Sequence, residues 1–332
     1  MRTPFFSIVT PVLDGGGAFA LCLEALARSE FRDWELIVVD DGSTDGSAEL
    51  AARHGARVLT TAGRQGPAAA RNLGAEAAAG GFLFFVDADC ELHADTLGRA
   101  ARRLEADPGL DALFGSYDLS PAAPGVVSQF KNLLHHFVHQ NAAAEATTFW
   151  AGCGVVRRET FVRLGGFDAA RFPRPSIEDI ELGYRMTAAG VRILLAKEVQ
   201  VRHHKRWTLG GLIRTDVMDR GIPWTRLMLA GGERQRELNV NLTGRWSVLL
   251  LTVFAAACAL LLVDPAWALP ALAALLTIII LNLEVYRFFW HQRGWAFAVR
   301  AVPLHLLYYG YSALAFAVGS LVHLAAGRDR RD

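Results

Sequence analysis

Apolar and polar stretches alternate along the first part of the chain in segments of strand and helix length. The apolar runs occupy residues 6–12, 34–40, 56–60, 82–90 and 112–117. The segments between them that have helical length and composition are residues 18–29, 47–54, 66–80 and 94–105. Continuous apolar strands alternating with helices are typical of a mostly parallel sheet covered by helices on both faces. The pattern therefore predicts an α/β domain.

From residue 246 to residue 326 the chain is predominantly apolar. Three windows are nearly free of charge and approach the roughly 20 residues that a helix needs to cross a bilayer. They are residues 247–263, about 265–284 and 301–323. The first two predict a membrane hairpin, with a buried helical pair in a soluble protein as the alternative. The third contains Pro303, His305 and His323; it is predicted to span, with a position in the membrane interface as the alternative.

Composition and charge agree with this division. The 332 residues are 52% hydrophobic, and the net charge of +1 gives no reason to expect nucleic acid as a partner. The four cysteines have no metal-site spacing, which indicates free thiols in a reducing compartment. The N-terminus does not resemble a signal peptide, so the first domain is predicted to be cytoplasmic.

The arginines predict how the hydrophobic windows are oriented. Both the flank before residue 247 and the segment after residue 284 are arginine-rich, so both are expected on the cytoplasmic side. The turn at Asp264–Pro265 has no basic residue and is expected outside. A third span would place the tail 327–332, "GRDRRD", outside as well, against the same rule.

Acidic residues cluster where two predicted strands end. Asp40 and Asp41 follow the second strand, and Asp87 and Asp89 follow the fourth. In open α/β sheets, ligands bind beyond the carboxyl ends of the strands. These four acids are therefore candidates for one binding site.

The stretch "VVDDGSTDGS" (38–47) partly matches a calcium-binding loop, but the twelfth position is Ala52 instead of an acid and a strand enters it instead of a helix. A turn followed by a helix cap accounts for residues 43–45. It leaves the adjacent Asp40 and Asp41 unexplained, because two neighbouring carboxylates repel each other unless something binds them. Calcium is therefore disfavoured, and a ligand for the acid pair is expected.

Six motifs then occur in order: "SIVTPVLD", "VVDDGSTDGS", "RQGPAAARNLGA", "FVDADC", "GGFD" and "SIEDIELGYRM". The six motifs lie within residues 6–187. The set resembles the family 2 glycosyltransferases, which have a GT-A fold and invert the anomeric centre. The resemblance implies a nucleotide-sugar donor, with a UDP-sugar favoured, and Mg²⁺ or Mn²⁺ as cofactor. The family pattern "PxYN" stands here as "PVLD", which leaves the base of the donor open.

The resemblance also implies roles for single residues. The donor-binding residues would be Pro11, Leu13, Asp14, Asp40, Asp41, Arg71, Asp87 and Asp89. The metal ligands would be Asp89 and Asp87, with one of the adjacent His203 and His204. The base would be Asp179 with Glu178 beside it, and the acceptor side would include Trp150, Gly152 and Asp168.

Ordinary structural roles compete with several of these assignments. Arg71 is equally consistent with a position on a helix surface, and Trp150 with a packed connector. Glu178 and Asp179 would also suit the first turn of a helix capped by Ser176, where acids favour the helix dipole. The histidines are equally consistent with surface positions.

The predicted organisation is a GT-A catalytic domain at residues 1–205, an amphipathic basic segment at 206–245, a transmembrane region at 246–326 and a charged tail at 327–332. The basic segment is typical of helices on an anionic membrane face, with a solvated basic surface as the alternative. "VRHHKRW" (201–207) lacks the glutamine of the corresponding motif of processive synthases, which favours a non-processive enzyme.

These patterns predict a multi-pass protein of the cytoplasmic (inner) membrane. It would move a sugar to a lipid-linked or glycan acceptor on the cytoplasmic side. The alternative is a catalytically silent nucleotide-sugar-binding or scaffold protein on the same fold. A soluble nucleotidyltransferase is disfavoured, because "LDGGGAFA" (13–20) has no lysine or arginine to hold phosphates and the membrane segments would be unexplained.

Overall fold

The computed structural model describes residues 3–231 and 242–328. The chain divides into two compact units. One comprises the residues up to 123 together with 139–206, and the other comprises 124–138 together with the residues from 207 onward. The first unit contains the sheet and the acidic motifs, and the second is helical.

The first unit is built on one mixed sheet. Its strands are β1 (Phe6–Val12), β2 (Trp34–Asp40), β3 (Arg57–Thr60), β4 (Phe82–Val86), β5 (Cys90–Leu92), β6 (Ala112–Tyr117), β7 (Glu145–Ala146), β8 (Cys153–Arg157) and β9 (Ile193–His203). They are ordered β3-β2-β1-β4-β8-β6-β9-β5, and β7 also pairs with β9. Strands β1 to β4 form a parallel half, whereas β8 runs antiparallel between β4 and β6.

The helices of this unit follow the predicted alternation. They are α1 (Gly16–Ala27), α2 (Ser47–Arg53), α3 (Pro67–Glu76), α4 (Thr96–Ala106), α6 (Arg158–Arg163) and α7 (Glu178–Ala188), while α5 (Val126–Asn141) crosses the sequence boundary between the units. All five residues of β4 are buried, as the continuous run "FLFFV" requires of a central strand. The α/β prediction is confirmed, and the antiparallel strands of the second half are an addition to it.

The segment "FLFFVDADC" differs from the single strand predicted for it. Strand β4 ends at Val86, and β5 begins at Cys90 and pairs with β9 instead of continuing along β1. The intervening residues form a turn closed by the Cys90 N–H, which donates to the Asp87 carbonyl at 3.0 Å. The two acids of "DAD" therefore project from a turn instead of alternating along an extended strand.

The second unit contains the apolar helices. They are α10 (Leu242–Leu260), α11 (Ala268–Leu281), α12 (Leu283–Arg293) and α13 (Trp295–Arg328), with a 3-10 turn at Pro265–Trp267. Among the described residues, α10 and α13 are each long and apolar enough to cross a membrane. The segment 265–281 qualifies only together with α12, from which it is bent by 63°. Helix α13 begins at Trp295, six residues before the window predicted from the sequence.

The basic segment after β9 is helical where it is described. It comprises α8 (Leu209–Arg214), a π-helical stretch at Thr215–Gly221 and α9 (Ile222–Gly231). The remainder of that segment at 232–241, and the end of the tail at 329–332, lie outside the described residues.

Candidate functional site

The loops after β1 and β2 hold each other. Asp14 is the one described non-glycine residue with a positive φ, at 48°, and its Oδ1 accepts from the backbone N–H of Thr44 at 2.8 Å. In return, the Asp14 N–H donates to Ser43 Oγ at 2.9 Å. Asp45 reaches across to accept from the Gly16 N–H at 2.8 Å, at the start of α1. The hydroxyls and the third acid of "DDGSTDGS" therefore join two loops, which gives them a role that needs no calcium.

Asp41 is directed into the protein. Its side chain is buried, and its two carboxylate oxygens accept three short hydrogen bonds from the loop before α3. The donors are Thr61 Oγ1 at 2.7 Å, the Gln65 N–H at 2.7 Å and the Gly66 N–H at 2.8 Å. These contacts commit the carboxylate to shaping residues 61–66, so Asp41 does not fit the predicted direct contact with a donor.

Asp40 is the acid of the pair that keeps a free acceptor. It is 6% exposed, and its Oδ1 accepts from the Ser43 N–H at 3.0 Å, while its Oδ2 accepts no hydrogen bond from the described part of the chain. Pro11 and Leu13 are both half-buried, and Pro11 pairs with Val39 in the register that sets Val12 beside Asp40. The predicted donor-side residues of the first two strands thus meet at one edge of the sheet.

Arg71 on α3 links the "DAD" turn to the "ED" pair. Its Nη2 donates to Asp87 Oδ1 at 2.7 Å, and its Nη1 donates to Glu178 Oε1 at 2.9 Å. The side chains of Arg71 and Glu178 are both only 6% exposed. A buried guanidinium committed to two carboxylates does not fit the predicted contact with a diphosphate, nor the surface position considered as its alternative. Arg71 is a bridge inside the site.

Asp179 occupies the start of α7. Its Oδ2 accepts from the Ala151 N–H at 3.1 Å, and its Oδ1 accepts from the Ile180 N–H at 2.8 Å. Burial and, next to it, the negative charge of Glu178 raise the pKa of Asp179 to about 6, against the smaller opposing effects of these hydrogen bonds and of Arg71. A carboxyl group with such a pKa is a usable proton acceptor near neutral pH.

Glu178 and Asp179 lie in the first turn of α7, as the structural alternative predicted, but the cap position is one residue after the expected Ser176. Ile177 occupies the cap position of α7, and its side chain makes no capping bond. The backbone N–H of Ser176 donates a hydrogen bond to Glu178 Oε2 at 2.9 Å. Both oxygens of Glu178 are therefore engaged, one by Arg71 and one by this backbone group, which fixes the carboxylate next to Asp179.

The adjacent histidines separate, as expected for neighbours at the end of a strand. His203 Nε2 lies 3.6 Å from Asp89 Oδ2, and His204 Nε2 lies 2.7 Å from Glu91 Oε2. Burial raises the pKa of Asp89, but the contact with His203, the charge of Lys205 and a backbone hydrogen bond together outweigh burial and leave the pKa below its ordinary value. The imidazole of His203 lies beside the carboxylate of a predicted metal ligand, whereas His204 contacts Asp89 only through its backbone N–H, which donates to the Asp89 carbonyl at 2.9 Å.

Asp89 and His203 fit part of a metal site. An oxygen and a nitrogen donor at this spacing suit Mn²⁺ or Mg²⁺ if phosphate oxygens and water complete the coordination. Among residues 3–231 and 242–328, no group of three or more His, Cys, Asp or Glu would hold an ion by itself. Asp87, the other predicted ligand, is engaged by Arg71 but remains 34% exposed. The described side chains thus supply two candidate ligands, and a bound ion would need further ligands from outside the chain.

An aromatic row adjoins this pair. The His203 ring stacks on Tyr117 at 4.2 Å with an interplanar angle of 13°, and Tyr117 meets Trp150 edge to face at 4.9 Å. Trp150 lies over Gly152, where a Cβ would come within 2.6 Å of the indole ring. The predicted acceptor-side residues Trp150 and Gly152 are therefore in contact with each other and continuous with His203.

Two residues of the site were missed in the sequence. Tyr117 is the last residue of strand β6. Its position at a strand end was the feature of the sequence that could have indicated a place in the site. Asn72, next to Arg71, exchanges two hydrogen bonds with the Phe167 backbone, at 2.8 and 2.9 Å, and so holds the "GGFD" turn. The predicted acceptor residue Asp168 is exposed, and its Oδ1 accepts from the Arg171 N–H at 3.0 Å. None of its hydrogen bonds joins it to the acids of the site.

Known proteins are similar to this chain in sequence and in fold. Residues 7–165 match the family model described as glycosyl transferase family 2. The glycosyltransferase AglE of Haloferax volcanii is 27% identical over 217 residues, which cover 61% of this chain and 68% of that protein. A PGL/p-HBAD biosynthesis glycosyltransferase of Mycobacterium bovis is 36% identical over 121 residues, covering 35% of this chain and 47% of that protein.

Two solved structures share the fold. The mannosyltransferase PcManGT from Pyrobaculum calidifontis, in complex with GDP-Man and Mn²⁺, has a TM-score of 0.60 at 18% identity, covering 97% of this chain and 88% of the other. Residues 1–349 of S. aureus TarS, in complex with UDP-GlcNAc, have a TM-score of 0.50 at 18% identity, covering 98% and 91%. Residues 7–165 are therefore similar to the glycosyl transferase family 2, and the chain shares the GT-A-like fold of these two structures.

Proposed function

We propose that the protein is a membrane-anchored, metal-dependent inverting glycosyltransferase that moves a sugar from a nucleotide-sugar to a lipid-linked or glycan acceptor. The observation that carries the proposal is the bridge through Arg71. It ties Asp87 of the "DAD" turn to Glu178, the neighbour of the predicted base Asp179. One buried side chain thus connects the donor side of the site with the group that would activate the acceptor.

The chemistry follows from these positions. The Asp179 carboxylate accepts the proton of the acceptor hydroxyl as its oxygen forms a bond to the anomeric carbon. The bond from that carbon to the diphosphate oxygen breaks on the opposite face, so the configuration inverts and a nucleoside diphosphate leaves. A divalent ion held by Asp89 and His203 would neutralise the negative charge that develops on the leaving group. The Ala151 and Ile180 N–H groups orient Asp179, and Arg71 holds Glu178 beside it.

The donor and metal assignments have independent support. PcManGT is in complex with GDP-Man and Mn²⁺, and TarS is in complex with UDP-GlcNAc. Both ligands are nucleoside diphosphate sugars, so the shared fold supports a donor of that class here. We keep a UDP-sugar as the preferred donor. The release assay described below compares Mg²⁺ with Mn²⁺ as the cofactor.

The membrane part of the proposal has compositional support. Helices α10 and α13 are long and apolar enough to cross a bilayer, which agrees with membrane association. Beside them, the segment 209–231 exposes arginines together with apolar side chains such as Met218 at 58%. We place the catalytic unit on the cytoplasmic side of the inner membrane, where a lipid-linked acceptor would present its polar end.

Release of nucleoside diphosphate by the detergent-purified chain tests the function. The assay uses a panel of UDP-, GDP- and dTDP-sugars, with Mn²⁺, Mg²⁺ or chelator, and with or without polyprenyl phosphate and a membrane lipid extract. We expect metal-dependent release from one donor, raised by lipid and lost in Asp89→Asn. Tight binding of a donor without release under any condition would favour the catalytically silent alternative.

A further inference from the structure

Helix α13 is too long for a simple membrane span. Its 34 residues extend for about 51 Å, whereas the hydrocarbon core of a bilayer is about 30 Å thick. The contacts that α13 makes along its length therefore decide where it lies. Within the second unit, they come from three regions in succession.

The first part of α13 packs on α12. Phe297 meets Phe289 edge to face at 5.6 Å, and His305 Nδ1 lies 3.3 Å from the Tyr286 hydroxyl. Helix α12 is bent by 63° away from the segment 265–281, and it exposes Glu284, Arg287 and Trp290 on its outer side. Charged residues beside an exposed tryptophan are typical of a helix that lies along the membrane surface.

The middle of α13 meets α10 as far along as Leu251, whose Cδ2 would lie 3.7 Å from a Cβ at Gly310, and its polar contacts with the α10–α11 hairpin lie near one end. The Tyr309 hydroxyl donates to Asn282 Oδ1 at 2.7 Å, and Asn282 Nδ2 donates to Ser247 Oγ at 2.9 Å. Asn282 directly follows the last residue of α11, and Ser247 is in the second turn of α10. This end of the hairpin is opposite to the turn at residues 261–267.

The next contact of α13 is a hydrogen bond to an acid that is itself part of an ion pair. The Tyr311 hydroxyl donates to Asp216 Oδ2 at 2.8 Å, and Lys131 Nζ donates to both oxygens of Asp216 at 2.8 and 2.7 Å. Asp216 belongs to the π-helical stretch, which leads into α9. If α13 crossed the bilayer beside the hairpin, its midpoint would lie in hydrocarbon. Instead, the midpoint of α13 lies next to the charged side chains of Asp216 and Lys131.

The last part of α13 packs tightly on that same basic segment. A Cβ at Gly221 would come within 2.7 Å of Ala315 Cβ, and a Cβ at Gly319 would come within 2.7 Å of Thr225 Cβ. Gly221 and Thr225 are four residues apart on one helical segment, and Ala315 and Gly319 are four residues apart on α13. These small side chains therefore allow the two helices to approach closely over a full turn. Residues 311–319 of α13 therefore lie wherever the segment 214–226 lies.

The segment 214–226 does not belong in hydrocarbon. It exposes Arg214, Arg220 and Arg226. Each arginine at the centre of a bilayer disfavours insertion roughly a hundredfold, so three exposed arginines disfavour it about a millionfold. At the level of the lipid headgroups, the same side chains gain from anionic lipids.

We propose that α13 lies in the membrane interface, together with α12 and the segment 209–231, and that only the α10–α11 hairpin crosses the bilayer. The exposed face of α13 between residues 301 and 326 fits this position, because its large side chains are apolar and would enter the boundary of the acyl chains. They include Leu307, Leu314, Phe316, Leu321 and Leu324, at 38–67% exposure. This arrangement keeps the arginine-rich tail on the cytoplasmic side, as the positive-inside rule requires. The inference rests on the proposed membrane anchoring and is independent of the sugar-transfer chemistry.

Cysteine labelling in the full-length protein tests the topology. Cys22, Cys90 and Cys153 are buried, so a Cys258→Ser background suffices. Single reporters are Ala52→Cys in the catalytic unit, Val263→Cys at the hairpin turn and Ala326→Cys near the end of α13. A membrane-impermeant maleimide is applied to spheroplasts and to inverted vesicles.

We expect Val263→Cys to react only in spheroplasts, and Ala52→Cys and Ala326→Cys only in inverted vesicles. Reaction of Ala326→Cys on the same side as Val263→Cys would overturn the proposal, because α13 would then span. Reaction of all three cysteines on one side would refute both the membrane-spanning hairpin and the interfacial position of α13. Glycosyl transfer could still be measured in detergent, so the proposed activity would be tested separately.

A depth measurement provides a second readout. Leu307 and Leu314 are seven residues apart, so an in-plane helix places spin labels at Leu307→Cys and Leu314→Cys at equal depth. A helix along the bilayer normal would separate them by about 10 Å. Quenching by nickel chelated to headgroups distinguishes the two, and a depth difference near 10 Å would refute the interfacial position.

Discussion

Replacement of Arg71 by methionine tests the bridge that joins the two halves of the site. Methionine fills much of the same volume but leaves Glu178 as a buried carboxylate without its cationic partner. The Arg71 and Glu178 side chains are each 6% exposed, so water cannot compensate for the loss. Removal of one partner from a buried ion pair costs about 3–5 kcal/mol. Asp87 is 34% exposed and adds little, because solvent screens it.

The expected result is a large loss of thermal stability that a second substitution partly reverses. For a unit of this size, each kcal/mol corresponds to roughly 2–4 °C in Tm, so Arg71→Met should melt about 6–20 °C lower than the unsubstituted protein. Glu178→Gln added to Arg71→Met removes the uncompensated charge. The double variant should therefore be more stable than the sum of the single effects predicts, by a coupling of about 2–3 kcal/mol.

The assay is a double-mutant cycle on the full chain in detergent, followed by intrinsic tryptophan fluorescence during heating. Arg185 and Glu181 on α7 form the matched control pair. They are joined at 2.8 Å, but Arg185 is 31% exposed and contacts none of the acids of the site. Their cycle should give a smaller coupling, and Arg71→Met combined with Glu181→Gln should be additive.

Additive effects of Arg71→Met and Glu178→Gln would refute the bridge. A loss of less than about 1 kcal/mol in Arg71→Met would do the same, because it would place the guanidinium in solvent-exposed surroundings. Arg71→Lys sharpens the result. Lysine keeps the charge but cannot donate to two carboxylates in the forked geometry, so it should restore only part of the stability.

Four further outcomes follow from the site. Asp179→Asn should lower kcat by about 10²–10⁴-fold with donor affinity unchanged, as steady-state kinetics and calorimetry would show; retained turnover would exclude this residue as the base. In the unsubstituted enzyme, kcat/KM should fall about tenfold per pH unit below pH 6, because the carboxyl group, whose pKa burial raises to about 6, is then protonated. Asp41→Ala should lower Tm more than Asp40→Ala, whereas Asp40→Ala should weaken donor binding more; equal effects of the two on both measurements would contradict the division of roles. His203→Gln should weaken Mn²⁺ binding at least tenfold in a calorimetric titration with nucleoside diphosphate, and His204→Gln should not.

The first half of the sheet could be predicted from the sequence because its strands are buried on both faces. Runs such as "IVV" in β2 and "FLFFV" in β4 have no polar side to present to water, so their character is evident without knowledge of their neighbours. The acids at their ends were located for the same reason. Strand β9 is different, because alternating polar residues interrupt its apolar ones and its pairing with β5, β6 and β7 depends on distant parts of the chain.

The roles of single acids could not be read from their order in the chain. Asp40 and Asp41 are adjacent, yet one keeps an unoccupied oxygen and the other accepts three hydrogen bonds from donors twenty or more residues away. The bridge through Arg71 connects residues separated by 107 positions. Contacts of this kind are decided by packing in three dimensions, which local periodicity does not encode.

The interlocked loops after β1 and β2 have a consequence for changing donor preference. Asp14 accepts a hydrogen bond from Thr44, and Asp45 accepts one from Gly16, so each loop is held in place by the other. We therefore expect replacement of one loop to change the conformation of the other. Substituting "LDGGG" by the corresponding segment of a relative with a different base preference would remove two of the partners that shape residues 43–47. An exchange of specificity should therefore transplant residues 13–17 and 42–47 as one module, and single-loop chimeras should lose donor binding altogether instead of acquiring a new base.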